Sequence, residues 1–237
     1  MPGLVQLPRL DHVAIHVADR DAFAQELVDR FDMHVIERTE RFTLVGADAE
    51  HGKLTLLDKV DDDGPDPAPN RIVSLVLAQG SGSTGRPPVT LPGGLVVTFA
   101  SIDDLGPAWT DTPHHALVGL TLRTIDPPLA AATLEMQHDM HVGAVGRDHA
   151  VLEVGGASPE GRISLSRERW HDDEAPSMLD HIGIRVPDAA SWRELAEQRE
   201  LDVVRWVEAP HSRAVFVNGP DHLLLEYVEL TAPFEGS

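Results

Sequence analysis

The stretch "LDHVAIHVAD" at residues 10–19 returns as "LDHIGIRVPD" at 179–188, with an Asp-His pair in the same register both times. An internal repeat constrains a fold more tightly than local propensity does, because each copy must form the same unit and the copies must bury a common face. Each copy ends on an aspartate suited to capping a helix, Asp19 or Asp188. Phe23, Leu27, Val28 and Phe31 then recur at helical spacing, as do Trp192, Leu195 and Ala196 in the later copy. Three short alternating runs follow in each case, "MHVIERTE", "RFTLVG" and "KLTLLD" or "LDVVRWVE", "SRAVFVN" and "HLLLEYVEL". The unit is strand, helix, strand, strand, strand.

A third copy lies between them, with "LVGLTLRTID" as its strand and a helix capped by Asp126 with Pro127 in the first turn. Leu129, Thr133, Met136 and Met140 are expected on that helix's inner face. Aligned on the caps, Gly119 stands where the outer copies have His12 and His181. Residues 70–101 form a fourth copy eroded to "RIVSLVLAQ" and "GGLVVTFAS", since the Gly-, Ser- and Pro-rich segment between them does not suit a helix. The acidic "DDDGPDPAP" before it lacks the ligand spacing of a calcium loop and is assigned as a linker. The expected fold class is α+β: four βαβββ-type modules, the second eroded, in paired curved mixed sheets with helices outside. The N-terminal half, 1–105, holds module one (9–58) and module two (70–101). The C-terminal half, 106–237, holds module three (114–168) and module four (178–230).

Composition narrows the function. The net charge of −20 repels nucleic-acid phosphates and anionic lipid, and Lys and Arg form no cluster that offers an exception. Cysteine is absent, so disulfides and thiolate chemistry are excluded and any metal must sit on His, Asp or Glu. No run approaches a membrane span and the N-terminus lacks a signal pattern, so a cytoplasmic location is expected.

Four such modules with histidine on the first strand of the first and last resemble the vicinal oxygen chelate superfamily of glyoxalases, bleomycin-resistance proteins and extradiol dioxygenases. The ending "DHIGIRVPD…VFVNGPDHLLLEYVEL" most resembles the ring-cleaving, hydroquinone-type dioxygenase branch. The resemblance implies that modules one and four pack together and hold one divalent metal through His12, His181 and Glu226. Fe(II) is the first expectation, with Mn(II), Zn(II) and Ni(II) as alternatives. Two imidazoles and one carboxylate leave coordination positions for substrate and dioxygen. Strand alternation is consistent with all three pointing into a curved sheet. Ala14, His16, Thr55, Gly183, Arg185 and Phe216 are expected to line the cavity, Ala14 and Gly183 because they leave room beside the histidines.

The sequence also departs from that branch. Thr55 takes the place where glyoxalases use a further acid, Asp11 the place of a second histidine, and Phe216 the place of a tyrosine. The only tyrosine, Tyr227, should face the other side of its strand. By strand rise His16 lies about 13 Å from His12, so His211, in a turn, is the candidate base, while Arg185 has a buried ion pair as its alternative role. His138 and His141 have metal-like spacing without an assignable third ligand, and His114, His115, His149, His171 and His222 suit loops or strand ends. The expected activity is ring cleavage of a dihydroxylated aromatic. The alternatives are a glyoxalase- or epimerase-type isomerase or lyase on the same metal, and a small-molecule or antibiotic-binding protein without chemistry. The expected partner is a small, aromatic molecule rather than nucleic acid or membrane, with a homo-oligomer compatible with the sequence.

Overall fold

The computed structural model describes residues 8–59, 72–82, 85–155, 161–167 and 178–232. The acidic segment assigned as a linker and His171 lie outside them. Module one comprises β1 (Arg9–Val17), α1 (Arg20–Phe31), β2 (His34–Arg38), β3 (Phe42–Gly46) and β4 (Lys53–Asp58). Module two keeps β5 (Ile72–Gln79), β6 (Val89–Thr90) and β7 (Val96–Ser101), followed by a single helical turn, α2 (Ile102–Leu105). Module three holds β8 (Leu117–Arg123), α3 (Pro127–His138), β9 (His141–Val145), β10 (His149–Glu153) and β11 (Arg162–Ser166). Module four holds β12 (Leu179–Arg185), α4 (Ala189–Gln198), β13 (Val203–Ala209), β14 (Ser212–Asn218) and β15 (Leu224–Leu230).

The caps act as their chemistry requires. The Asp19 carboxylate accepts from the amides of Asp21 and Ala22, Asp126 from Leu129, and Asp188 from Ala190 and Ser191. Each fixes the angle at which a helix leaves the first strand of its module. Modules one and four merge into an eight-stranded sheet, ordered β13-β14-β15-β12-β1-β4-β3-β2. Modules two and three form a seven-stranded sheet, β6-β7-β5-β8-β11-β10-β9. Each sheet therefore takes one module from each half of the chain, so the halves are units of sequence rather than of packing. The apolar side chains of the strands meet the helices in one large core that includes Val13, Leu27, Leu54, Leu120, Leu134 and Tyr227. No helix among the described residues is long and apolar enough to cross a membrane.

Helix α3 corrects an expectation. Ala130, Ala131, Leu134 and His138 face the core, whereas Leu129 and Met136 are 66% and 69% exposed and Thr133 is half-buried; of the expected set only Met140, just past the helix, is buried. The helix is apolar on several faces, so periodicity alone did not mark the buried one.

The two sheets touch where Gly52, just before β4, bridges Leu117, at the start of β8. The Leu117 amide donates to the Gly52 carbonyl at 3.1 Å. A Cβ on Gly52 would stand 2.0 Å from the Leu117 carbonyl oxygen, so only glycine permits this approach. Gly52→Ala should force the sheets apart and lower the unfolding free energy by about 1–3 kcal/mol, the range for overpacking a fitted site. Urea unfolding measures this, and an unchanged midpoint would show that the contact does not constrain the fold.

Candidate metal centre

Strand β1 lies antiparallel to β12 at the centre of the larger sheet, pairing His12 with Gly183 and Ala14 with His181. The ladder is interrupted twice. Leu10 pairs with Ile184 and His12 with Gly183, which leaves Asp11 as an extra residue; Ala14 pairs with His181 and Ile15 with Leu179, which leaves Asp180 as its counterpart. Each bulge lets an aspartate reach the same side of the sheet as the histidine that follows it.

The consequence is chemical. The His12 Nδ1 group meets the Asp11 Oδ2 atom at 2.9 Å, and His181 Nδ1 contacts the Asp180 carboxylate. With Nδ1–H committed to a carboxylate, each ring presents a basic Nε2 to the centre. The two Nε2 atoms lie 3.0 Å apart, and each is 3.0 Å from Glu226 Oε2. Glu226 arrives on β15, which runs parallel to β12 with Glu226 opposite Gly183. The described residues contain one group of three or more His, Asp or Glu ligand atoms converging in this way.

A triangle of edge 3.0 Å suits a metal. Ligand bonds of about 2.1 Å subtend about 90° across that edge, as on one face of an octahedron, whereas a tetrahedral ion needs edges of about 3.4 Å. The donor set and its spacing fit a six-coordinate divalent ion held on one side.

Behind the triangle sits a buried ionic network. The Asp11 Oδ1 atom accepts from Lys53 Nζ at 3.1 Å and from Arg185 Nε at 2.7 Å. Arg185 also reaches Glu50 at 3.0 Å, which binds Arg9 at 2.9 Å. Lys53, 1% exposed, completes its shell with the carbonyls of Ala49 and His51. Burial alone would raise the Asp11 pKa; the Lys53 ammonium, the His12 hydrogen bond and the Arg185 guanidinium overturn that and hold it well below the carboxylate range. Burial likewise opposes charge on His12 and Glu226. Hydrogen bonds donated to Asp11 and Glu226 nevertheless lift His12 to about 9, and those that both imidazoles donate pull Glu226 down to about 2.

The structure relocates several residues expected around the site. Arg185 does not line the cavity, since Asp11 and Glu50 hold it in the ionic network. Gly183 leaves room for no substrate: a Cβ there would stand 2.3 Å from the His12 ring, so the glycine exists to let that imidazole lie across β12. His16 binds Asp180 Oδ2 at 2.9 Å and the Asp58 carbonyl at 3.1 Å, which makes it a support of His181, and it also borders a cavity with Val17, Phe23 and Met178. His211 is not near the centre. Its carbonyl accepts from the Thr231 amide, just past the end of β15, five residues beyond Glu226 and about 17 Å away by strand rise, too far for direct proton transfer.

Ala14 and Thr55 are buried in register beside His181, and Phe216 meets the His181 ring edge-on with centroids 5.2 Å apart. Tyr227 faces the opposite, helix side, where it stacks on Trp192 and contacts buried His138 at 2.8 Å; that contact rather than a metal accounts for His138, and His141 is exposed on β9. Sequence reasoning missed Asp11 and Asp180. Their signal was the repeated Asp-His dipeptide itself.

The sequence matches no protein-family model and no curated protein. Solved structures resemble the fold over nearly the whole chain. A "putative dioxygenase" from Bacillus subtilis superposes with TM-score 0.74 at 11% identity, covering 98% of this chain and 88% of its own. Glyoxalase I from Zea mays gives TM-score 0.64 at 14% identity, covering 94% and 92%. At these identities the likeness establishes a shared fold.

Two tests follow from the geometry. A divalent ion must displace the proton that His12 holds below about pH 9, so metal affinity should rise with pH up to about 9, by up to tenfold per unit. Calorimetric titration of Mn(II) across pH 6–10 measures it, and a flat profile would contradict the assignment of His12 Nε2 as a ligand. Gly183→Ala and Asp11→Asn should each weaken Mn(II) binding by about 10–100-fold, the usual cost of disturbing what orients a ligand, and equal affinity in both variants would remove these supports from the account.

Proposed function

We propose that this chain, which has the vicinal oxygen chelate fold, is a metal-dependent enzyme of dioxygenase type that cleaves the ring of a dihydroxylated aromatic. The reading rests on one observation: three ligand atoms 3.0 Å apart on one side of a shared centre, with no further carboxylate joining the triangle among the described residues. The symmetry of the modules makes Thr55 the counterpart of Glu226, because Thr55 pairs with Ala14 as Glu226 pairs with Gly183. A hydroxyl in that place leaves the remaining coordination positions to exogenous ligands.

A divalent ion held by His12, His181 and Glu226 supplies Lewis acidity, and with Fe(II) or Mn(II) also a path for electrons from an electron-rich diol to dioxygen. The chain's own residues do the rest. Asp11 and Asp180 fix both imidazoles in one tautomer and orientation. Ala14 keeps the floor low, while Phe216, Ala214 and Val228 form an apolar cluster flanked by Leu224 and Leu230, suited to an aromatic ring. The same surface excludes bulk water from the reacting atoms. Both oxygen atoms of dioxygen enter the product as one ring carbon–carbon bond breaks, so the reaction needs no external reductant.

The second reading, an isomerase or lyase, uses the same cation to stabilise an enediolate, and its proton carrier would be Glu226, the one carboxylate touching both imidazoles. Oxygen uptake separates the two. The Fe(II)- or Mn(II)-loaded protein should consume dioxygen and a catechol or hydroquinone in about one-to-one ratio, and the zinc form should be inert. His12→Ala, His181→Ala and Glu226→Ala should each abolish uptake together with metal binding. Absence of uptake across a phenolic panel, with anaerobic interconversion of a hydroxy-carbonyl or thioester by a zinc or nickel form, would replace the dioxygenase with the isomerase.

A further inference from the structure

Across module four the strand register places Arg205 opposite Phe216 and Phe216 opposite Glu226. The guanidinium carbon of Arg205 lies 3.9 Å from the centroid of the Phe216 ring, which also meets the His181 ring edge-on. Stacking fixes the guanidinium plane while its N–H donors remain free along the edge. Among the described residues no carboxylate pairs with Arg205, although at least nine other arginines have such a partner. In a chain of net charge −20 an exposed arginine without an acid, two strands from the ligands, is a local reversal of the field. Module one offers the opposite: Glu37 pairs with Leu44, which pairs with Thr55, so an acid stands in the position symmetric to Arg205.

We infer that Arg205 is a specificity-determining residue, binding a carboxylate that the substrate carries at the end remote from its metal-chelating oxygens. The inference rests on the metal reading above and adds the substrate's charge and orientation. The two ring contacts put the guanidinium carbon within about 9 Å of the His181 ring centre, which accommodates one six-membered ring with a short acidic arm. Leu224, Glu226 and Leu230 are half-buried, so the strand that carries the carboxylate ligand reaches the surface beside the buried Phe216. The planar fork suits a carboxylate through two parallel hydrogen bonds. Glu37 repels the same group from the other rim, so the arm has one preferred direction.

The test compares 3,4-dihydroxyphenylacetate with 4-methylcatechol, which differ in the carboxylate, by calorimetry on the Mn(II)-loaded protein. The acid should bind at least tenfold more tightly, against the repulsion of the whole-protein charge. Arg205→Met should erase the preference while leaving 4-methylcatechol affinity and metal content unchanged, and Arg205→Lys should keep part of it. Equal affinities in the native chain, binding of neither compound, or a preference that survives Arg205→Met would each overturn the inference. The metal reading fails separately: a chain that takes up no Mn(II) loses that reading, and ranking of the two ligands through Arg205 would then leave of this one only the carboxylate contact; a chain that binds Mn(II) and ranks nothing loses this inference alone.

Discussion

Two reciprocal carboxylate links hold the centre of this protein together. Asp11 joins the candidate ligand His12 on its own strand to Arg185 on the facing strand, and Asp180 joins the candidate ligand His181 to His16. In the repeat, His16 and Arg185 occupy equivalent positions, so the two links are related by the same symmetry as the modules. Each fixes a ring and clamps β1 to β12. Buried ions are costly, and such a network persists only where every charge is paired and its remaining hydrogen bonds are met. Here Lys53 and Arg185 face one carboxylate, Glu50 joins Arg185 to Arg9, and backbone carbonyls take the remaining protons.

The second sheet shows what the same backbone does without that chemistry. Its central strands carry bulges in matching places, with Val73 and Val118 as the extra residues where the first sheet has Asp11 and Asp180. Ser74 and Gly119 replace the histidines, and Ser164, opposite Thr121, replaces Glu226. With no ligand to orient, Val118 packs with Ala78, Leu105 and Trp109. The bulge is therefore a property of the fold, and the residue placed on it decides whether the sheet carries a charged centre or an apolar one.

Much of this was legible in the sequence. The repeat gave the modules, the aspartate caps gave the helix starts, and histidines in register gave two members of the converging triad. What stayed hidden has a common cause. Period-two alternation sends adjacent residues to opposite faces, so Asp11 and Asp180 could not be placed beside their histidines without knowing of the bulges. Gly183 suggested room for substrate because its spacing from His181 was visible and the His12 ring crossing from the next strand was not. His211 sits one turn from a strand that reaches the site, but sequence proximity to β14 says nothing of position along it. Helix α3, apolar on several faces, left its buried side undetermined.

Symmetry explains the ligand geometry, and departure from symmetry explains how such a site is turned into one for a particular molecule. Two histidines come from equivalent positions, whereas the carboxylate comes from one module only, since Thr55 answers Glu226. That difference leaves a neutral hydroxyl on the module-one side where module four has a carboxylate. Further out, Leu44 answers Phe216 and Glu37 answers Arg205, so the inequality grows toward the rim: one wall is aromatic and cationic, the other aliphatic and anionic. On the proposed function, a duplicated scaffold supplies a near-symmetric cradle for an ion, whereas a chelating substrate has two different ends. On that reading the asymmetric residues, not the shared ones, would set which end goes where.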